Sequence, residues 1–413
     1  MRRLTSYATA PADESSPTYH GWWVVVGCSL IALFICGFGL YGQGIYLAEL
    51  QRAHGWQTAQ LSAASTLSLL VSSVLVAFTS DLMVWMGLRS LLLCGTSSLA
   101  ASTTILALMT HPWQLYLAFL LMALGSTCMG TVVVAIVVNS WFEQRRGLAL
   151  SLALNGATCG GVILVPALLA LVGTIGFTLA MLAATATILV VLVPVVLALS
   201  GRRTQERLEQ YFARADYHEG IGQAPTSPSR RALLRMIGFW TIAVPFAIAL
   251  LAGVGLIVHQ VPFLEPIIGR SAAGFAVTIT ASMAVVGRIC LGAFVDRVDP
   301  RSASAAFMII QAAALVIVLQ TSNPTVLLFA FGLYGFSIGH LTTLPSLIIQ
   351  REIGPAAFGT ALGLSTAIGG IGSAFGPGLL GLIRSLTGGY AAALVLCLVL
   401  TITAASLVLL REP

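Results

Sequence analysis

The character of the chain changes at residue 200, and this change decides the fold. Residues 175–199 read IGFTLAMLAATATILVVLVPVVLAL and contain no charged side chain, whereas residues 200–237 read SGRRTQERLEQYFARADYHEGIGQAPTSPSRRALLRMI and contain seven arginines. The first stretch exceeds the roughly 20 apolar residues that a helix needs to cross a bilayer. We therefore predict a membrane-spanning helix that is followed by an arginine-rich linker.

Comparable apolar runs occupy most of the remaining chain. Hydrophobic residues make up 58% of the sequence and charged residues 8%, against roughly 25% charged residues in a soluble domain. This composition argues against soluble enzymes, nucleic-acid-binding modules and disordered proteins. The runs are continuous rather than alternating, which argues against a transmembrane barrel. We predict an all-α integral membrane protein with twelve transmembrane helices at about 21–47, 58–79, 88–110, 113–139, 147–172, 175–199, 238–260, 272–295, 302–321, 324–348, 357–383 and 389–410.

The linker divides the predicted spans into two sets of six. A weak repeat supports this division, because ALSL at residues 149–152 and ALGL at residues 361–364 lie 212 positions apart (361 − 149 = 212). The predicted divisions are an N-terminal tail at 1–20, a six-helix bundle at 21–199, the linker at 200–237 and a second six-helix bundle at 238–410.

All 20 basic residues are arginines, and their distribution indicates an orientation. If both termini are cytoplasmic, 16 arginines lie on the cytoplasmic side, Arg288 lies within a span, and three lie on the opposite side: Arg52, Arg270 and Arg384. Short cytoplasmic loops carry an excess of basic residues. We therefore predict that both termini and the linker are cytoplasmic, and the net charge of +6 requires no nucleic-acid partner.

One loop motif carries a family resemblance. Residues 292–301 read GAFVDRVDPR, which resembles the G-x-x-x-D-R-x-x-x-R pattern of the major facilitator superfamily. The resemblance implies two six-helix bundles that alternate access to a site between them. It also implies gating roles at the cytoplasmic end for Asp296, Arg297, Arg145 and Arg146.

Three further matches indicate a branch of that superfamily. Residues 21–25 (GWWVV) and 141–149 (WFEQRRGLA) resemble monocarboxylate transporters and oxalate–formate antiporters, and Arg288 coincides with the carboxylate-binding arginine of that branch. The resemblance implies a small organic carboxylate as substrate. The chain lacks lysine, and Ala284 stands where the animal carriers have an aspartate. We therefore expect a binding site built on a single arginine.

Arg288 is the strongest candidate for substrate binding. A charge within a span is costly and normally faces the bundle interior, and a guanidinium matches the geometry of a carboxylate. The alternative is a structural cation that is satisfied by backbone carbonyls or reaches the cytoplasmic side. Further candidates at similar depth are Tyr334, Asn155 and His340, each of which could instead be a packed residue with one satisfied hydrogen bond.

The remaining polar and sulfur-containing residues predict no further site. Near the outer end of span one, Tyr41, Gln43 and Tyr46 could line an entrance, although we favour anchoring of the tyrosines at the membrane interface. His259 and Glu265 are expected in a solvated loop. The seven cysteines are scattered and form no C-x-x-C pair, which indicates neither a disulfide framework nor a metal site. We expect no cofactor.

These observations predict a secondary active or facilitative transporter, and not an enzyme, in a bacterial inner membrane. The expected partners are the lipid bilayer, a small carboxylate and either protons or a counter-substrate. None of the 14 acidic residues lies near the middle of a predicted span, so protons would move through His340 or with the substrate. The alternatives are a transporter of a neutral or amphipathic compound, such as a siderophore, vitamin or drug, and a membrane sensor that does not transport.

Overall fold

The computed structural model describes residues 16, 18–142, 145–220, 230–294, 298–353 and 358–411. Twelve of its helical segments are long and apolar enough to cross a membrane, and they form two six-helix bundles as predicted. In chain order, spans one to twelve are Gly21–His54, Thr58–Leu75, Asp81–Leu108, Pro112–Trp141, Leu148–Ile175, Phe177–Leu199, Ile237–Ile268, Arg270–Leu291, Pro300–Gln320, Pro324–Glu352, Thr360–Thr387 and Ala391–Val408.

Several spans are built from more than one helical segment. Span one consists of Gly21–Phe34, a π-helical turn at Ile35–Tyr41 and Gln43–His54, and span five of Arg146–Cys159, a π-helical turn at Gly160–Leu164 and Val165–Ile175. Span four is divided into Pro112–Met129 and Thr131–Trp141, and span ten into Pro324–Ile338, a 3₁₀ turn at Gly339–Thr342 and Leu344–Glu352. Within span three, Gly87 has a φ of 74°, a left-handed conformation that favours glycine and kinks the helix.

The linker contains a helix, Arg202–Gly220, that packs against span four of the first bundle. It also contains a short turn, Arg230–Leu233, that packs against span eleven of the second bundle. The Arg207 guanidinium lies over the Trp141 ring at 4.5 Å from its centroid, which is a cation–π distance. We call this end of the bundles the linker end, and we call the opposite end, where spans one and seven finish, the far end.

Spans one and seven continue beyond their apolar runs. They end at His54 and Ile268 instead of near residues 47 and 260. His259 therefore lies within a helix and is 0% exposed, so the expectation of a solvated loop at His259 is wrong. Its Nε2 donates to the carbonyl of Pro377 at 2.9 Å, and its Nδ1 accepts from the hydroxyl of Tyr390 at 2.9 Å. These partners satisfy the neutral imidazole inside the protein.

The hydrophobic core of the first bundle extends into the second bundle at the far end. Val258, Val261 and Val277 of spans seven and eight belong to the same buried cluster as residues of spans one to six. The second bundle has two clusters of its own, one around Phe239 at the linker end and one around Phe331 at the far end. The two bundles are therefore packed together at the far end.

Candidate functional site

Arg288 lies on span eight at the boundary between the two bundles. Its Nη2 donates a hydrogen bond of 2.7 Å to the hydroxyl of Thr158 on span five, and Thr158 is 5% exposed. Span five belongs to the first bundle, so this contact joins the bundles. Among the residues that the structure describes, no carboxylate pairs with Arg288. A guanidinium has five N–H donors, of which the Thr158 hydroxyl uses one.

Tyr41, on span one, lies near Arg288. A side chain at Gly161 would come within 3.1 Å of both the Tyr41 ring and the Ala281 methyl group. Ala281 lies about two helical turns before Arg288 on span eight. The glycine thus allows spans one, five and eight to meet on the far-end side of Arg288.

Asn155 lies one helical turn before Thr158 on span five. Residues three apart are neighbours on one helix face, so Asn155 borders the position where Thr158 contacts Arg288. The side chain of Asn155 is exposed. Asn155 thus lies one turn from the Thr158 contact along span five, and its role in binding stays a prediction.

His340 follows Gly339, which contacts Arg288, but the His340 ring is directed into the second bundle. The ring is 0% exposed, stacks on Phe307 with 5.2 Å between centroids, and its Nδ1 hydrogen-bonds the carbonyl of Ser337. The preceding Gly339 is the residue that contacts span eight, since a side chain there would come within 3.1 Å of Cγ of Arg288. The described contacts of the imidazole do not include the guanidinium.

Tyr334 lies in the core of the second bundle. It is 2% exposed, and its ring centroid is 6.4 Å from that of Phe331. The next residue, Gly335, packs directly on the backbone of Thr280 in span eight. The helix therefore presents Gly335 to span eight, and Tyr334 packs away from it within the far-end cluster of the bundle.

Two of the four expected gating residues, Asp296 and Arg297, lie outside the described residues. Arg145 is exposed and precedes the first turn of span five, where Arg146 begins the helix. The gating roles therefore stay predictions from the loop motif.

The site contains two residues that the sequence analysis did not assign to it. Thr158 was missed because threonine is common in membrane helices and nothing in the sequence distinguishes it. The sequence predicts Tyr41 at the membrane interface or at an entrance, and in the structure it is half-buried near Arg288. Interfacial anchoring is wrong for Tyr46, which is 0% exposed. The signal for Tyr41 is its place at the end of an unpredicted π-helical turn, a feature that is frequent at functional sites.

Known proteins resemble the chain over most of its length. A family model described as Major Facilitator Superfamily matches residues 29–377 and 260–413. The MFS-type transporter pytF of Aspergillus terreus is 25% identical over 307 residues, which are 69% of this chain and 93% of that protein. Monocarboxylate transporter 11 of Mus musculus is 25% identical over 408 residues, which are 93% of this chain and 86% of that protein.

A solved structure has the same fold. A bacterial homologue of the human lysosomal transporter Spinster superposes with a TM-score of 0.70 at 16% identity, over 95% of this chain and 97% of that chain. At this identity the superposition establishes the shared architecture of twelve helices and carries no information about the substrate.

Proposed function

Because the chain belongs to the major facilitator superfamily of membrane transporters, we propose that it moves a small organic anion, such as a monocarboxylate, by alternating access. The observation that carries this proposal is Arg288, a cation at the boundary between the bundles whose described hydrogen-bond partner is one neutral hydroxyl, that of Thr158. The membrane in which it acts is predicted to be a bacterial inner membrane.

The chemistry of Arg288 favours an anionic ligand. A partly buried charge without a counter-ion is unfavourable, so an anion that pairs with it gains affinity. A carboxylate can accept two parallel N–H bonds from the planar guanidinium, which fixes its orientation as well as its charge. A neutral ligand would leave this charge unpaired.

The position of the site suits a mechanism in which the bundles rock about the substrate. Arg288 belongs to the second bundle, whereas Thr158 and Tyr41 belong to the first. A carboxylate bound to the Arg288 donors that Thr158 leaves unused would lie at the boundary, next to groups of both bundles. Substrate binding would then change the contacts between the bundles, which is what coupling of transport to binding requires.

Relatives support this substrate class at a coarse level. Monocarboxylate transporter 11 of Mus musculus covers 93% of this chain, and the name of that protein agrees with a carboxylate site. The coupling partner is proposed to be protons or a counter-substrate. The acids Glu49 and Glu265 lie at the far ends of their spans, so a proton would travel with the substrate or through His340.

Binding by variants of Arg288 tests the proposal. We expect purified protein to be stabilised by acetate, lactate or benzoate in a thermal-shift assay. Arg288→Ala should weaken that binding by about 30-fold or more, because loss of one partner of a buried charge pair costs roughly 2 kcal/mol or more. Arg288→Lys should also bind weakly, since it retains the charge but loses the planar fork.

Arg202→Ala is the matched control, because this arginine is 92% exposed on the linker helix. It should bind the carboxylates like the wild type. If Arg288→Ala folds and keeps wild-type carboxylate binding, Arg288 is structural and a neutral or amphipathic substrate becomes the better hypothesis. Uptake into liposomes by the wild-type protein separates both transporter hypotheses from a membrane sensor.

A further inference from the structure

Five charged residues at the far end gather between the two bundles. They are Glu49, Arg52, Glu265, Arg270 and Arg384, and four of them line an open cavity of about 480 Å³. This set includes all three arginines that the charge distribution predicts on the side opposite the linker. Charged residues from spans one, seven, eight and eleven are therefore concentrated at one place on the bundle boundary.

Four of these residues form a closed ring of ion pairs. Glu49 and Arg52 lie on span one, and Glu265 and Arg270 lie at the end of span seven and the start of span eight. Arg52 donates to Glu49 at 2.8 Å and to Glu265 at 2.6 Å. Arg270 donates to Glu265 at 3.1 Å and also to Glu49. Each carboxylate thus bonds both arginines, and two of the four pairs cross between the bundles.

The ring is sheltered enough for these pairs to matter. Both glutamate side chains are 10% exposed and Arg270 is 27% exposed, whereas Arg52 lies at the rim of the ring and is 50% exposed. Charges at this depth are poorly screened, so removal of one partner leaves a charge that water cannot fully compensate. This distinguishes the ring from exposed surface pairs, which contribute little.

A polar layer beneath the ring also joins the bundles. Ser62 of span two lies 3.2 Å from Nε2 of His259 in span seven. The backbone N–H of Gly378 in span eleven donates to the hydroxyl of Thr66 in span two at 2.8 Å. The far end is therefore closed by ion pairs at its surface and by hydrogen bonds below them.

We propose that Glu49, Arg52, Glu265 and Arg270 form a gate that holds the far end closed and breaks its two cross-bundle pairs when that end opens. Each bundle retains one acid and one base when the bundles part. The pairs Glu49–Arg52 and Glu265–Arg270 can then persist in the open state, so that opening hydrates two neutral pairs and leaves no orphan charge. This arrangement provides two stable states separated by a modest free-energy difference.

Opening of the far end can be measured without knowing the substrate. Spin labels on keto amino acids at positions 54 and 386 would report the distance across the far end in the full-length protein, without replacing its free cysteines. His54 ends span one, and Leu386, near the end of span eleven, is 77% exposed. Glu49→Arg should raise the ratio of open to closed populations by about tenfold or more, because position 49 would then repel both arginines.

A charge exchange provides the decisive comparison. Glu49→Arg combined with Arg270→Glu restores both cross-bundle attractions and makes both pairs within a bundle repulsive, so the closed distance should return. Glu206→Arg, in an exposed pair within the linker helix, is the matched control and should leave the distances unchanged. If Glu49→Arg does not fold, Arg52→Gln removes one crossing pair and should give a smaller shift. Unchanged distances in the folded single variant, or no recovery in the double variant, would overturn the proposal.

Discussion

Two buried or half-buried arginines of the second bundle differ in their partners, and this difference separates a structural role from a candidate functional role. Arg301 is 1% exposed and donates to both oxygens of Glu352 at 2.7 Å and to the carbonyls of Val408 and Leu410 at 2.8 and 2.7 Å. Arg288 donates to one hydroxyl. A guanidinium with satisfied donors ties helices together, whereas one with donors to spare can receive a ligand.

We expect Arg301→Ala to destabilise the protein by about 1.5 to 3 kcal/mol, the range for hydrogen bonds to a charged group, because Glu352 is 37% exposed and water can partly replace its partner. It would leave Glu352 without its partner and the end of span twelve without a cap. Thermal unfolding of the purified protein measures this effect. Arg411→Ala is the control, because its pair with Asp299 is largely exposed and should contribute little. Equal melting temperatures for the two variants would contradict the structural role of Arg301.

The sequence predicts the role of a residue only where the side chain is unusual for its position. Arg288 stands out because a charge inside an apolar run is rare, whatever the fold. Thr158 and Tyr41 are ordinary in a membrane helix, and only the packing of three spans brings them to Arg288. The burial of His259 was unpredictable for the same reason, since its partners lie more than 100 residues away in the sequence.

At the scale of helices, the apolar runs predict twelve spans, and the part of the chain that the structure describes contains twelve. The far ends of spans one and seven were missed because Glu49 and Glu265 make the sequence look like loop. These acids are tolerated in helices because arginines from the other bundle pair with them, and such pairing is invisible in a local stretch of sequence.

Glycines set how closely neighbouring helices approach. Gly156 and Gly160 of span five lie against the backbone of span one, and Gly376 of span eleven lies against the backbone of span seven at Leu251. Similar contacts thus occur at related places in the two bundles, as the weak sequence repeat suggests. Close approach of this kind is a main source of helix association in membranes.

A single glycine substitution tests this packing. Gly376→Ala would place a methyl group against the carbonyl of Leu251, and we expect it to lower stability by about 1 to 3 kcal/mol through overpacking. Gly363→Ala in the same span is the control, because no atom lies within 4 Å of its added methyl group. The control should be neutral or slightly stabilising, since alanine favours helix. Equal stability of both variants would show that the contact at Gly376 can relax.

For the whole molecule, the resemblance to the major facilitator superfamily is confirmed by the family match, and the orientation stays a prediction. We expect green fluorescent protein fused after Pro413 to fluoresce in bacterial cells, and alkaline phosphatase fused after Gly389 to be active. A phosphatase fusion within the linker, after Pro225, should be inactive. These results would place both the linker and the C-terminus in the cytoplasm, as the distribution of arginines predicts. The reverse pattern of activities would contradict the assignment of sides.

The π-helical turn in span one has a consequence for the phase of that helix. Such a turn accommodates an extra residue, and each residue rotates a helix by about 100°. The turn at Ile35–Tyr41 therefore rotates the following segment, Gln43–His54, about the helix axis relative to the segment before the turn. The part of span one before the turn can face one set of neighbours while the part after it points Glu49 towards Arg270. The two parts of this transmembrane helix thus present their side chains in different directions. If the turn became regular α-helix, Glu49 would rotate away from Arg270.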